Sequence, residues 1–106
     1  MKKLLLILLC LPMVVLAQQT YVPDDNFEQE LIDQGYDNVL DNYVTTSNIN
    51  TVTHLNVNYD NITDLTGIED FTALSSLQCH DNQLTILDVS NNTALTYLRC
   101  SNNQLT

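Results

Sequence analysis

Apolar positions in the second half of the chain return at a fixed interval. LSSLQCHDNQLT, from Leu74, comes back as LTYLRCSNNQLT, from Leu95, a step of 21 residues. Leu77 and Cys79, and then Leu98 and Cys100, alternate with polar neighbours. A period of two predicts a short strand with one face buried. A looser copy lies upstream, where Val52, Leu55, Val57 and Ile62 precede Leu74, Leu77, Cys79 and Leu84 by 22 residues. One extra residue near Gly67–Phe71 accounts for the longer step. The segment LDVSNNTAL between strands has no helical periodicity and is rich in Asn and Ser. It predicts an irregular or 3-10 return that adds Leu87 and Val89 to the opposite wall. Stacked copies would place their strands in one parallel sheet, about 4.8 Å apart.

This period and the pattern L-x-x-L-x-C-x-x-N-x-L are those of leucine-rich repeats. The expected fold class is an α/β repeat solenoid, with a parallel concave sheet, an irregular or 3-10 convex side and a small helical N-terminal cap. The repeats occupy 51–106, as two full copies and half of a third. A stack needs a polar cap at each end. No such cap follows Thr106, so the array is expected to be truncated there, with further repeats downstream.

The upstream part divides into three. Lys2 and Lys3, the apolar run Leu4–Leu16 and the small residue at Ala17 read as an export signal over 1–17. Residues 18–23 read as a linker. Residues 24–50 read as the cap. Within it, Asp25 with Glu28 predicts a capping box, Phe27, Leu31 and Ile32 give an apolar stripe, and Gly35 gives a stop. Val39, Leu40, Tyr43 and Val44 suggest a second, weaker helical turn.

Charge then narrows the partners. Thirteen acidic side chains face only three basic ones, and Lys2 and Lys3 leave with the signal, so Arg99 remains as the single cation. Such a surface repels phosphates, which argues against nucleic acid. No membrane insertion is expected after signal cleavage.

The outward strand positions make the candidate ligand-binding strip: His54, Asn56 and Asn58 on the first rung, Ser76, Gln78 and His80 on the second, and Tyr97, Arg99 and Ser101 on the third. Tyr and Arg are favoured at binding hot spots. Asn82 and Asn103 follow the strands at equivalent places and predict a structural amide ladder, since each side chain can both donate and accept. Asp60 takes that place in the first repeat, where an ionised carboxylate cannot donate. Cys79 and Cys100 share one inward position and are expected to be free thiols packed as small apolar groups.

Catalytic and metal chemistry finds little support. Cys79 and His80 point to opposite strand faces and cannot form a dyad. His54 and His80 sit four strand positions out of register, roughly 13 Å apart, too far for one zinc ion. Asp24, Asp25, Asp33, Asp37 and Asp41 crowd the cap, but no calcium-loop pattern organises them, and solvation is the better account. Asn61-Ile-Thr63 and Asn91-Asn-Thr93 match the glycosylation acceptor pattern, as chance allows in an Asn- and Thr-rich repeat. The expectation is no cofactor, no resident metal and no enzyme activity.

The stretch LxCxxNQLTxLDVSxNTALTxL, read from Leu77, together with VPDDNFEQELIDQGYDNVLDNYV and DLTGIEDFTAL, resembles secreted bacterial leucine-rich repeat proteins of the internalin-like kind. The resemblance implies a right-handed curved solenoid that binds ligands on its concave sheet, in a secreted or cell-surface adhesin. The expected function is a recognition scaffold for a protein or glycan; the alternative is a noncatalytic spacer or targeting module of a larger secreted enzyme.

Overall fold

A computed structural model describes residues 17–106. The export signal read over 1–17 lies outside that span except for Ala17. Among the described residues, no helix is long and apolar enough to cross a membrane.

The first element corrects the sequence reading. Residues 18–23 are not a free linker, because Gln19–Tyr21 forms strand β1. Helix α1 follows at Asp25–Asp33, and then strand β2 at Tyr43–Thr45, antiparallel to β1 with Thr20 opposite Val44. The expected second helical turn is therefore a strand. Its inward residue, Val44, is fully buried, while Val39 and Leu40 are exposed. Alternation about Val44 suits a strand better than the 3.6 period of a helix.

Helix α1 begins one residue earlier than the capping box implied. Asp24 is the N-cap, and its Oδ1 accepts the N–H groups of Asn26 at 2.9 Å and Phe27 at 3.0 Å. Glu28 does not close a box; its carboxylate turns inward instead. The helix stops as expected. Gly35 takes a φ of 88°, its N–H bonds Ile32 O and that of Tyr36 bonds Leu31 O, both at 2.9 Å. This double closure needs a left-handed residue, which glycine supplies without a Cβ clash.

The repeats stack in the predicted register. Strands β3 (His54–Asn56), β4 (Ser76–Gln78) and β5 (Tyr97–Arg99) form one parallel sheet in the order β3-β4-β5. Leu55, Leu77 and Leu98 are aligned across it. The first return segment contains a 3-10 turn at Ile68–Asp70, and the second is irregular.

One core runs from cap to repeats. Phe27 and Leu31 of α1 join Leu55, Leu74, Leu77 and Leu84 among its fully or almost fully buried members. Phe27 stacks on Phe71 with centroids 6.3 Å apart, so the helix covers the apolar end of the first coil. At the other end Leu98 is 40% exposed. It lines a hollow of about 340 Å³ with Ile86, Cys100 and Leu105, where no further coil lies over it among the described residues.

Candidate functional site

The sheet face brings most of the predicted strip together. His54, Ser76 and Tyr97 stand side by side, as do Asn56, Gln78 and Arg99. His54, Asn56, Tyr97, Arg99 and Ser101 are exposed, whereas Ser76, Gln78 and Asn58 are half-buried. Asn58 Nδ2 reaches toward Gln78 Oε1 at 3.4 Å. The strip is therefore open at its outer rungs and partly self-bonded in the middle.

His80 departs from the expectation of a solvent-facing residue: it is only 5% exposed. Asn58 Oδ1 accepts its backbone N–H at 2.9 Å, its Nδ1 meets Asp81 Oδ2, and the Tyr59 ring stands edge-on to the imidazole at 5.1 Å. The imidazole is a prop for Tyr59, which is itself 71% exposed. Sequence reasoning missed Tyr59 because it lies past the end of the alternating run.

Its position recurs in every rung. Tyr59, Asp81 and Asn102 all take a left-handed φ, of 60°, 58° and 56°. Asp and Asn tolerate that region, whereas a bulky Tyr is an outlier there. Asn102 Nδ2 donates to Asp81 Oδ1 at 3.1 Å. The hydrogen bond from His80 is the chief cause that holds the Asp81 carboxyl below the usual range; desolvation comes next and opposes it, and the bond from Asn102 adds to the lowering.

The amide ladder is present at both predicted rungs. Asn82 Nδ2 donates to Val57 O at 2.8 Å and Cys79 O at 3.0 Å, while its Oδ1 accepts from Asp60 N and Ile62 N, both at 3.0 Å. Asn103 repeats this one coil later, donating to Cys79 O and Cys100 O and accepting from Leu84 N. Each amide ties its own turn to the previous coil. Asp60 stands apart. Its carboxyl is pushed up to about 6 by burial first and then by Glu30 and Asp33 of α1.

A second amide was not anticipated. Asn92 occupies the place that Phe71 holds in the preceding coil. Its Nδ2 donates to Ile68 O at 2.8 Å and Phe71 O at 3.1 Å, the carbonyls of the first residue of the 3-10 turn and of the residue that follows it. The hint was in the sequence, where a polar residue stands at an apolar register position.

Cys79 and Cys100 are both unbridged, Cys79 buried and Cys100 half-buried. Burial, and then the neighbouring Cys100, pushes the Cys79 thiol up to about 12. It is an inert packing group, not a nucleophile. Among the described residues, one set of carboxylates gathers tightly: oxygens of Glu28, Asp37 and Asp41 lie within 4.8 Å of one another. Both Glu28 oxygens already accept backbone N–H groups, which describes a structural carboxyl rather than an open ion cage. A hollow of about 520 Å³ lies on the return segments between Thr63–Glu69 and Thr85–Asp88, away from the strip.

No family model matches the chain, and no curated protein matches it. Among solved structures, the functional domain of InlJ from Listeria monocytogenes aligns with a TM-score of 0.74 and 37% identity, covering 88% of this chain and 21% of that one. This is an internalin-like leucine-rich repeat chain. An internalin from the same species, InlF, aligns with a TM-score of 0.73 and 26% identity, over 81% of this chain and 26% of its own length. The internalin-like chain thus spans about a quarter or less of the proteins it resembles. The InlJ domain includes a cysteine ladder; in this internalin-like chain, Cys79 and Cys100 take one position on successive coils.

Proposed function

We propose that the chain is a secreted or cell-surface recognition scaffold that binds a protein or glycan through the concave face of its repeats, without catalysis. The observation that carries this reading is the open strip itself. Three in-register strands present polar side chains, and the outermost places Tyr97 and Arg99 in solvent. Arg99 is the only Lys or Arg among residues 17–106. A lone cation beside an exposed aromatic ring gives the face a charged hydrogen-bond donor and a stacking surface. Tyr59, propped on His80, extends the apolar contact at the end of the strands. The likeness to internalins supports a recognition role, and the Lys2-Lys3 start with its apolar run supports export.

The test is adhesion. Tyr97→Ala and Arg99→Ala should each weaken attachment to a host or neighbouring cell by about thirtyfold, the loss of about 2 kcal/mol that marks a hot-spot residue. Attachment unchanged by both substitutions would leave the repeats as a noncatalytic spacer or targeting module of a larger secreted enzyme.

A further inference from the structure

Residues 17–53 contain no Lys, Arg or His, yet Glu28 of α1 is fully buried. Its Oε2 accepts the N–H of Asp41 at 3.1 Å, and its Oε1 accepts that of Asn42 at 2.8 Å. Asp37 lies against it from the loop. Asp37 Oδ1 takes the N–H of Asn38 at 2.8 Å, but Oδ2 is buried and has no donor. Asp41, the third carboxylate nearby, is exposed, and its Oδ1 accepts the N–H of Tyr43 at 3.0 Å. Oxygens of the buried Glu28 and the half-buried Asp37 lie within 4.8 Å of one another, and with no cation beside them two such carboxylates cannot both hold a charge at small cost. A single proton between Glu28 and Asp37 removes one charge and supplies the donor that Asp37 Oδ2 lacks.

We propose that Glu28 and Asp37 share one proton and so form a pH-gated latch that fastens the cap loop, residues 37–42, to helix α1. Every charged group around the pair has the same sign. The loop contributes Asp37 and Asp41, and α1 with its cap contributes Asp24, Asp25, Glu30 and Asp33. Strands β1 and β2 add only Tyr21 and Tyr43 as titratable groups. Burial first, and then the Asp37 carboxyl, pushes Glu28 up to about 7 against the opposing pull of the Asp41 and Asn42 amides.

The sign follows from linkage. The folded cap keeps a proton that the unfolded chain releases in the ordinary carboxylate range, so the latch is fully fastened at and below that range. It weakens as pH rises toward about 7. Above that, Glu28 gives up its proton and the loop is repelled from the helix. The device would hold the N-terminal end of the stack closed in mildly acidic surroundings and loosen it in alkaline ones.

Amide hydrogen exchange followed by NMR on the chain tests this. After correction for the intrinsic pH dependence of exchange, protection of the Asp41 and Asn42 amides should fall by at least about tenfold between pH 5.5 and 8.5, one pKa unit being a factor of ten. Protection of Leu77, deep in the repeats, should not change with it. Asp37→Asn gives Glu28 a permanent donor and should flatten the profile; Glu28→Gln should do the same if the cap still forms. A carbon-13 titration of the Glu28 carboxyl should show its midpoint well above the ordinary range. A Glu28 midpoint below pH 5, or an unchanged profile in Asp37→Asn, would overturn the proposal. Protection restored at pH 8.5 by added calcium would also overturn it, in favour of a bound cation.

Discussion

The carboxylate of Asp24 holds Thr63 across 39 residues of sequence. Its Oδ2 accepts the Thr63 backbone N–H at 2.9 Å, the Thr63 hydroxyl at 3.0 Å and the Asp64 N–H at 3.1 Å. Its Oδ1 meanwhile caps α1. One side chain thus starts the helix and pins the turn of the first coil beneath it. Asp24→Ala should cost about 2–4 kcal/mol, combining a lost cap with lost charge-assisted bonds. Burial acts to raise the Asp24 carboxyl, but the bonds from Thr63, Phe27 and Asp64 outweigh it and leave it lowered. Its contribution is therefore present above the ordinary carboxylate range and lost as pH falls through the depressed folded value. Urea unfolding of wild type and Asp24→Ala at pH 7 and pH 3 checks both statements; their stabilities should converge at the lower pH.

Asn82 should be the least replaceable amide. Its removal takes the side-chain partner from the Asp60 and Ile62 N–H groups and from the Val57 carbonyl at once, while Cys79 O keeps the bond from Asn103. Asn82→Ala should lower stability by about 3 kcal/mol or more, at 1–3 kcal/mol for a single buried group left unpaired. Asn103→Ala should cost visibly less, because Asn103 is only half-buried. Equal losses in chemical denaturation would show that the ladder does not depend on burial.

Asp60 predicts the opposite sign. Its carboxyl is raised to about 6 in the fold, so the folded state favours the protonated form, and the group opposes folding increasingly as pH rises from the ordinary range toward 6. Asp60→Asn removes the charge facing Glu30 and Asp33 and restores a donor. Thermal melts should show it more stable than wild type at pH 8, with the difference shrinking by pH 5.

The two glycines should separate strain from collision. A Cβ on Gly67, at φ 110°, would stand 2.8 Å from Val22 Cγ2 and 2.9 Å from Tyr21 O, so Gly67→Ala must push the first coil away from β1. A Cβ on Gly35 meets nothing within 4 Å. Gly35→Ala should cost about 1 kcal/mol, from backbone strain alone. Gly67→Ala should cost at least about 2 kcal/mol, with overpacking added to strain. Calorimetry of the two variants decides the order.

Thiol labelling distinguishes the repeat cysteines. An alkylating reagent at pH 8 should modify Cys100 in the folded protein and leave Cys79 untouched until denaturant is added, since Cys79 is fully buried and its thiol is raised to about 12. Mass spectrometry of labelled peptides reads this directly.

The strip and the amide ladder were legible because repeats contact mainly their neighbours. A step of 21 or 22 residues, once seen, fixes which residues pair, and Leu77 beside Leu98 follows from counting. Legibility failed where a residue answers to a partner outside the period. His80 occupies an outward register position, but the ring of Tyr59, whose backbone is left-handed, stands edge-on against it. Gln19–Tyr21 looked like a linker because its partner strand lies in another non-repeating segment.

The sequence alone therefore determined the coil, its period, its inward leucines and its stacked amides, since each is a local pattern multiplied by translation. Only the tertiary structure decided how the cap closes the stack. Asp24 on Thr63, Thr20 donating to Asp70 at 2.7 Å and Glu28 buried against Asp37 are single long-range or inward-turned contacts. They occur once, and a contact that occurs once leaves no periodic trace in the chain that makes it.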